Sequence, residues 1–251
     1  MKVVVCAGGC GCRASRFLAG TDAEVVVVGS ELDVGYAEGV PGEKRIVVNA
    51  GDPRGGFRDY RTTLRRIKSD VRPLVKKLVE GFDETGRAPA VVFGLGGAVG
   101  LATAALIAER VPLVAVMVLP SHGEPCAREA RERFDFLMDR GRAVVPVAVR
   151  NMDPDSVEPV RVAAEFGFEF AGSRADKVAN DAGNGVAYLE NRVTTVSELR
   201  SYLDSLMTES ASLIGGVADD DERFELTFSS TNGGGERKDG NDDSFRFTDI
   251  I

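Results

Sequence analysis

Apolar residues recur along the chain in short unbroken runs, separated by longer stretches in which they return every three or four positions. The runs Val3–Cys6, Glu24–Val28, Arg45–Val48, Ala90–Phe93, Leu113–Leu119 and Ala143–Val149 are mostly Val-rich and do not alternate with polar residues, which is the pattern of strands covered on both faces. Helical spacing covers Ala14–Leu18, Tyr60–Gly81, Ala98–Arg110, Glu124–Arg140, Asp155–Leu189 and Val196–Thr208. Strands and helices taking turns in this way predict an α/β fold, a doubly wound, mainly parallel sheet with right-handed crossovers. No internal repeat is present.

The periodicity stops near the C-terminus. From Asp219 onward there are ten acids against four bases, so the segment carries -6 of the formal net charge of -8 and the preceding 218 residues carry only -2. The composition, with TNGGGERKDGNDDS at its centre, is that of a solvated segment that has too little apolar surface to form a core. We therefore expect one domain over 1–208 and an acidic, largely disordered tail over 209–251. Phe245, Phe247, Ile250 and Ile251 crowd the end of that tail, which marks it as a short apolar partner-docking peptide or an end that folds back on the body.

The acidic balance argues against a general nucleic-acid binder, which needs surplus Lys and Arg to neutralise phosphates. No run approaches the roughly 20 apolar residues of a transmembrane span, and MKVVVCAGG enters a strand without a cleavage site, so a cytoplasmic protein is expected. Arginine outnumbers lysine 24 to 7, which fits a salt-adapted, GC-rich, haloarchaeal kind of source. The four cysteines are too few for a disulfide framework in a chain this long. C-x3-C-x-C over Cys6, Cys10 and Cys12 is not a zinc-finger spacing, so they are read as packing residues. His122, the only histidine, reads as an exposed loop residue. Arg65, Arg66, Lys68, Lys76 and Lys77 read as the solvated face of an amphipathic helix.

Candidate chemistry lies in the strand-to-helix turns, since ligands of open α/β sheets bind beyond the carboxyl ends of the strands. Cys6–Ser15 follows the first strand, Asn49–Gly56 the third and Phe93–Gly100 the fourth. Small residues there let backbone N–H groups approach an anion, and a following helix adds the positive end of its dipole. Gly9, Gly11 and Ala14 also satisfy G-x-G-x-x-A with Glu31 near the end of the second strand, which leaves an NAD-binding enzyme as an alternative. A dinucleotide site does not need a second glycine cradle, and no P-loop sequence occurs.

Taken in order, these segments resemble the nucleotide-binding domain of the FtsZ/tubulin family. The first loop, Gly8, Gly9, Cys10, Gly11, Cys12, Arg13 and Ala14, is similar to the family's first glycine loop. Gly94–Gly100, with Gly96, Gly97, Ala98, Val99 and Gly100, is similar to its signature GGGTGTG. Leu119-Pro120 followed by Glu124 and Arg128 matches P-F-x-x-E-G-x-x-R, whose Glu and Arg lie near the ribose and guanine. Val147–Asn151 resembles I-x-I-P-N, whose Asn binds the base. Ala175–Val178 and Gly185–Leu189 resemble A-D-E-V-L and Q-G-I-x-x-L, with Asp176 at the guanine-contacting position. The third turn brings Ala50 and Gly51 to the same ligand. The resemblance covers about residues 1–208 and implies GTP or GDP as the ligand, with Mg as an accessory ion.

The departures bear on activity. Val99 stands where the signature loop has Thr and donates no hydroxyl, Arg13 replaces the usual Asn, and Gly29-Ser-Glu31 replaces N-T-D. The family's water-activating N-x-D-x-x-D aligns with Val193, Thr195 and Glu198, so Glu198 is the one candidate catalytic carboxylate left. The segment where the family places a second domain is here the acidic tail. The resemblance thus implies a guanine-nucleotide-binding protein, GTPase-deficient or slow, that acts in or regulates cell division or cell shape. Its tail would dock a full-length relative or a division adaptor. The other reading is a nucleotide-independent adaptor on a degenerate scaffold, in which Glu124–Arg128 is an i,i+4 salt bridge and Asp176 an ordinary surface acid.

Overall fold

The structure, a computed structural model, describes residues 2–49, 59–121, 124–153, 155–190 and 192–215, with side chains up to Leu206. Ala50, Gly51, the rest of the third glycine turn after Asn49, His122 and the acidic tail beyond Gly215 lie outside the described residues. The elements are β1 (Val3–Ala7), α1 (Gly8–Ala14), β2 (Glu24–Gly29), α2 (Glu31–Val34), β3 (Arg45–Val47), α3 (Tyr60–Thr85), β4 (Arg87–Ala88), β5 (Ala90–Gly94) and α4 (Ala98–Ala108). They continue with β6 (Leu113–Val118), α5 (Ala130–Arg140), β7 (Val144–Val149), α6 (Glu158–Phe170), β8 (Ser173–Arg174), α7 (Ala175–Gly183), β9 (Val186–Leu189), β10 (Arg192–Thr195) and α8 (Val196–Gly215).

Eight strands form one sheet in the order β10-β9-β7-β6-β5-β1-β2-β3, and β4 pairs with β8 in a small separate ribbon. Every pairing in the large sheet is parallel except β10 on β9. The fold is therefore the mainly parallel α/β sheet that the apolar runs predict. Alternate residues of each strand serve opposite cores. Val5, Ala7, Val91, Phe93, Ala115 and Met117 share a core with α3, α4, α5 and α8. Val4, Cys6, Val92, Val114, Val116 and Val147 share the other with α1, α6 and α7. With both faces covered, each strand reads as a continuous apolar run. All residues of α4 are buried, which is why its sequence is apolar all round rather than on one stripe.

Three expected helices differ, one of them only at its start: the stretch expected over Glu124–Arg140 opens with the 3-10 turn Pro125–Glu129 and becomes α5 at Ala130. The single helix expected over Asp155–Leu189 is instead α6, β8, α7 and β9, because Gly172 at φ 78° and Gly185 at φ 65° turn the chain through the left-handed region. Val186 and Tyr188 do not belong to a helix face; β9 adds a strand beside β7 through Val147↔Tyr188. The helix expected over Ala14–Leu18 is a 3-10 turn over Ser15–Leu18, and α1 precedes it from Gly8 to Ala14, so the first glycine loop is itself the opening turn of α1. At the other ends, α3 runs on to Thr85 in spite of Pro73, starting at the Asp59 cap and ending at Gly86 with φ 60°. Helix α8 continues past Thr208 to Gly215.

The chain leaves β1 toward β2 on one side and β5 toward β6 on the other, so a crevice opens between their carboxyl ends,. Close backbone approach holds that crevice together. A Cβ on Gly11 would lie 2.4 Å from the Val92 carbonyl oxygen and 2.8 Å from the Cys6 carbonyl carbon, and neither backbone has room to retreat. Gly11→Ala should therefore destabilise the protein by about 3 kcal/mol or more, in the range of overpacked cores. At roughly 2–4 °C per kcal/mol for a chain this size, calorimetry should record a fall of several degrees in the unfolding midpoint.

Candidate functional site

Above the crevice lies a cavity of about 440 Å³, walled by the turns after β1, β5, β6 and β7. From the first turn come Gly8, Gly9, Cys10 and Arg13, and from the second Gly94, Gly96, Gly97, Ala98, Val99 and Gly100. The two turns interlock. Gly8 has φ 67°, and a Cβ there would lie 2.9 Å from the Gly100 nitrogen; one on Gly100 would lie 2.8 Å from the Phe93 Cβ. Gly97 is different. Nothing within 3.6 Å would obstruct a Cβ there, and its φ is -93°, so neither packing nor backbone strain requires glycine at this position. A side chain there would narrow the cavity.

Gly97 caps α4 without any side-chain hydrogen bond. The N–H groups of Ala98, Val99 and Gly100 therefore lack intrahelical acceptors, as in the first turn of any helix. They sit beside the uncapped start of α1, so two helix N-termini converge on one cavity. Such an arrangement favours an anion. Arg13 supplies one cation, its guanidinium 4.8 Å over the Tyr36 ring. Two carboxylates line the cavity, one after β2 and one after β6. Asp33 reciprocates a capping box with Ser30 at the start of α2, its Oδ2 3.3 Å from the Ser30 N–H. Glu124 accepts from the Ser121 N–H at 3.0 Å and from the Cys126 thiol at 3.7 Å. At the β7 end Asn151 lines the cavity, its Oδ1 buried and without a hydrogen-bond partner among the described residues.

The second turn is held from below. Arg133 of α5, fully buried, donates from Nη1 to the Gly96 carbonyl at 2.9 Å and from Nη2 to Glu129 at 2.7 Å. Its guanidinium lies 5.4 Å from the ring centre of Tyr60, whose hydroxyl donates to Glu132. A carbonyl fixed this way keeps the loop's N–H side toward the cavity.

Not every residue expected at the site lines it. Gly11 and Cys12 are buried beneath the first turn, with the Cys12 thiol directed at the Val28 carbonyl at 3.8 Å. Burial raises the Cys6 thiol and pushes Cys10 and Cys12 up to about 12, so all three stay protonated near neutral pH. Arg128 is exposed on the 3-10 turn Pro125–Glu129. Asp176 is exposed and held by Arg174 at 2.8 Å, which with the Lys177 N–H lowers its carboxyl below the usual range. Glu31 opens α2, exposed and away from the lining. Asp33, Cys126 and Arg133 are additions. Ser30-x-x-Asp33 is a readable capping-box spacing, whereas an Arg within a helical stretch carries no sign that it will be buried.

Glu198 sits elsewhere. Because β10 runs antiparallel to β9, the chain reaches α8 at the amino ends of the parallel strands, the end of the sheet opposite the glycine turns. There Glu198 accepts from the Thr194 hydroxyl and from the Thr195 N–H, while its own N–H donates to the Thr195 hydroxyl. These bonds, the Thr194 hydroxyl foremost, lower its carboxyl. Val193 is 65% exposed beside it.

No family model and no curated protein matches the sequence. Solved structures do. CetZ1 from Haloferax volcanii, a GDP-bound monomer, superposes with a TM-score of 0.56 at 19% identity over 74% of this chain and 66% of that one. A TubZ protofilament from bacteriophage PhiKZ gives 0.65 at 12% identity over 89% and 95%. The GTPγS-bound CetZ2 protofilament from Haloferax volcanii gives 0.53 at 19% identity over 74% and 63%. The chain has an FtsZ/tubulin-like fold. It spans slightly less than two thirds of the two CetZ chains. Within this FtsZ/tubulin-like fold the signature-loop position Val99 is 3% exposed and packs in the core while its N–H belongs to the first turn of α4.

Two outcomes follow from this geometry. Arg133→Met removes the donor to the half-buried Gly96 carbonyl and the partner of Glu129, a cost of about 1–3 kcal/mol,. The unfolding midpoint should fall accordingly, and hydrogen exchange of the 94–100 turn should quicken. The Glu198 cap stabilises α8 only while ionised. Its folded value lies below the unfolded one, so that contribution is present above about pH 4.3 and lost as pH falls through the folded value. Glu198→Gln should remove this part of the acid dependence in pH-dependent thermal melts.

Proposed function

We propose that the protein binds GDP or GTP in the cavity between the β1 and β5 turns and hydrolyses GTP slowly or not at all on its own. The observation that carries this reading is a cavity whose one end is built from glycine turns and two helix N-termini, with Asn151 lining the other. Guanine offers N–H donors on one edge and its phosphates need N–H donors in return, so the two ends of the cavity match the two ends of a guanine nucleotide. The volume falls within the ~300–1,000 Å³ usual for small-molecule sites. The guanine nucleotides named for the two CetZ structures support the same ligand class. Glu31 stands away from the cavity, which weighs against the NAD reading.

When bound, the nucleotide supplies a phosphate chain with the anhydride bond that hydrolysis would break. The chain's own groups are suited to holding it. Backbone N–H groups of Ala98, Val99 and Gly100 and the Arg13 guanidinium are at the end suited to the phosphates, and Asn151 lines the end left for the base. Asp33 and Glu124 are the carboxylates available to a Mg ion accompanying the phosphates. No second carboxylate accompanies Glu198, and its side chain is committed to capping α8. A water-orienting role therefore competes with an existing set of bonds, which supports slow turnover. In this reading the protein acts in cell division or cell shape as a nucleotide-binding relative of filament-forming proteins, with its acidic tail as the partner-docking segment.

Titration calorimetry on the full chain, stripped of any bound nucleotide, should give nanomolar binding of GDP and GTP, with ATP at least tenfold weaker because adenine offers different edge donors. Asn151→Leu and Gly97→Val should each weaken GDP binding at least tenfold while leaving the unfolding midpoint nearly unchanged. Absence of binding by both guanine nucleotides would instead favour an adaptor that keeps its glycine turns for packing alone.

A further inference from the structure

A second concavity of about 640 Å³ lies in the groove between α3 and the C-terminal end of α4. It is thus at the far end of α4 from the glycine turns. Its rim is basic: Arg65, Lys68 and Arg72 project from α3 at i, i+3 and i+7, the spacing of one helix face, and Arg110 projects from just beyond α4. Its floor is apolar, with Leu106 buried and Val75 packed against the same core.

Four cations gather in this groove. Lys68, Arg72 and Arg110 form no ion pair among the described residues, and Arg65 acts only at longer range on the Asp59 carboxylate. By contrast Arg61, Arg131, Arg140, Arg150, Arg174 and Arg200 each meet a carboxylate within 3.0 Å. The one acid lining the groove, Glu109, is already taken by Arg140 at 3.0 Å. Asp70 turns to the Asn49 N–H and the Ser69 hydroxyl. A helix C-terminus accounts for a cation such as Arg110 through the dipole, but the three on α3 lie along the middle of a 26-residue helix. In a chain of net charge -8, a cluster of four cations around an apolar floor is an uncompensated concentration of positive charge.

We infer that this groove is a docking surface for an acidic peptide segment of a partner protein, one that carries apolar side chains among its carboxylates. Charge complementarity selects the acids: each carboxylate is offered a cation that no neighbour neutralises. The concave apolar floor between two helices selects a peptide with Leu or Phe anchors rather than a flat lipid surface or a uniformly polar polyanion. The inference does not depend on nucleotide binding at the other end of α4.

Fluorescence anisotropy tests it on the full chain with a labelled 12-residue peptide of Glu and Leu in helical spacing. The expected result is saturable binding that weakens several-fold between 50 and 300 mM salt. Binding should fall at least tenfold for Lys68→Glu/Arg72→Glu and for a peptide with Ser in place of Leu. Arg110→Glu provides an independent variant, and unchanged thermal melts and circular dichroism show that each variant is folded. Three results would overturn the inference: no binding, equal binding of the Leu and Ser peptides or of inorganic polyphosphate, or binding of vesicles containing phosphatidylserine in preference to the peptide.

Discussion

The contact between the turns after β1 and β5 is the constraint on which the rest of the structure depends. Gly8 backs onto the nitrogen of Gly100, and Gly11 lies against the β5 backbone closely enough that no Cβ fits between them. This approach draws the starts of α1 and α4 to the same point. Both helices then lie with uncapped N-termini at the crevice, and α4 is driven so deep that all of it is buried. The cavity is a consequence of that packing, not an addition to it. Arg133 extends the same logic from outside, using a buried guanidinium to fix the Gly96 carbonyl.

This contact also separates glycines that build the fold from glycines that serve a ligand. Gly8, Gly11 and Gly100 are required where they are by backbone contact. Gly97 has free space ahead of it. The free margin at Gly97 adds nothing to stability and becomes useful only with something bound. The Glu198 end of the molecule shows the opposite character, since its carboxylate is fully engaged in capping α8.

Much of this arrangement was legible in the amino-acid sequence. Valine runs at 3–6, 24–28, 90–93, 113–119 and 143–149 all became strands, because a strand buried on both faces has no polar alternation to obscure it. The glycine turns that line the cavity were legible through composition and order. What escaped were features decided by tertiary contact. The stretch from Asp155 to Leu189 has the apolar spacing of a helix, yet left-handed glycines at 172 and 185 divide it and β9 leaves to join the sheet. Arg133 looks in sequence like any other surface base among Arg131, Glu132 and Asp135, and only its burial reveals that it supports the loop. Arg128 and Asp176, placed near the ligand by resemblance alone, are exposed, and Asp176 is already paired.

A fold shared at 12–19% identity carries architecture further than it carries activity. The claim that the cavity holds a guanine nucleotide therefore stands on the cavity itself. It is tested most directly by mass spectrometry of the small molecules released when freshly purified protein is denatured. Our account predicts GDP or GTP in an amount approaching one per chain; release of NAD or of no nucleotide at all would contradict it.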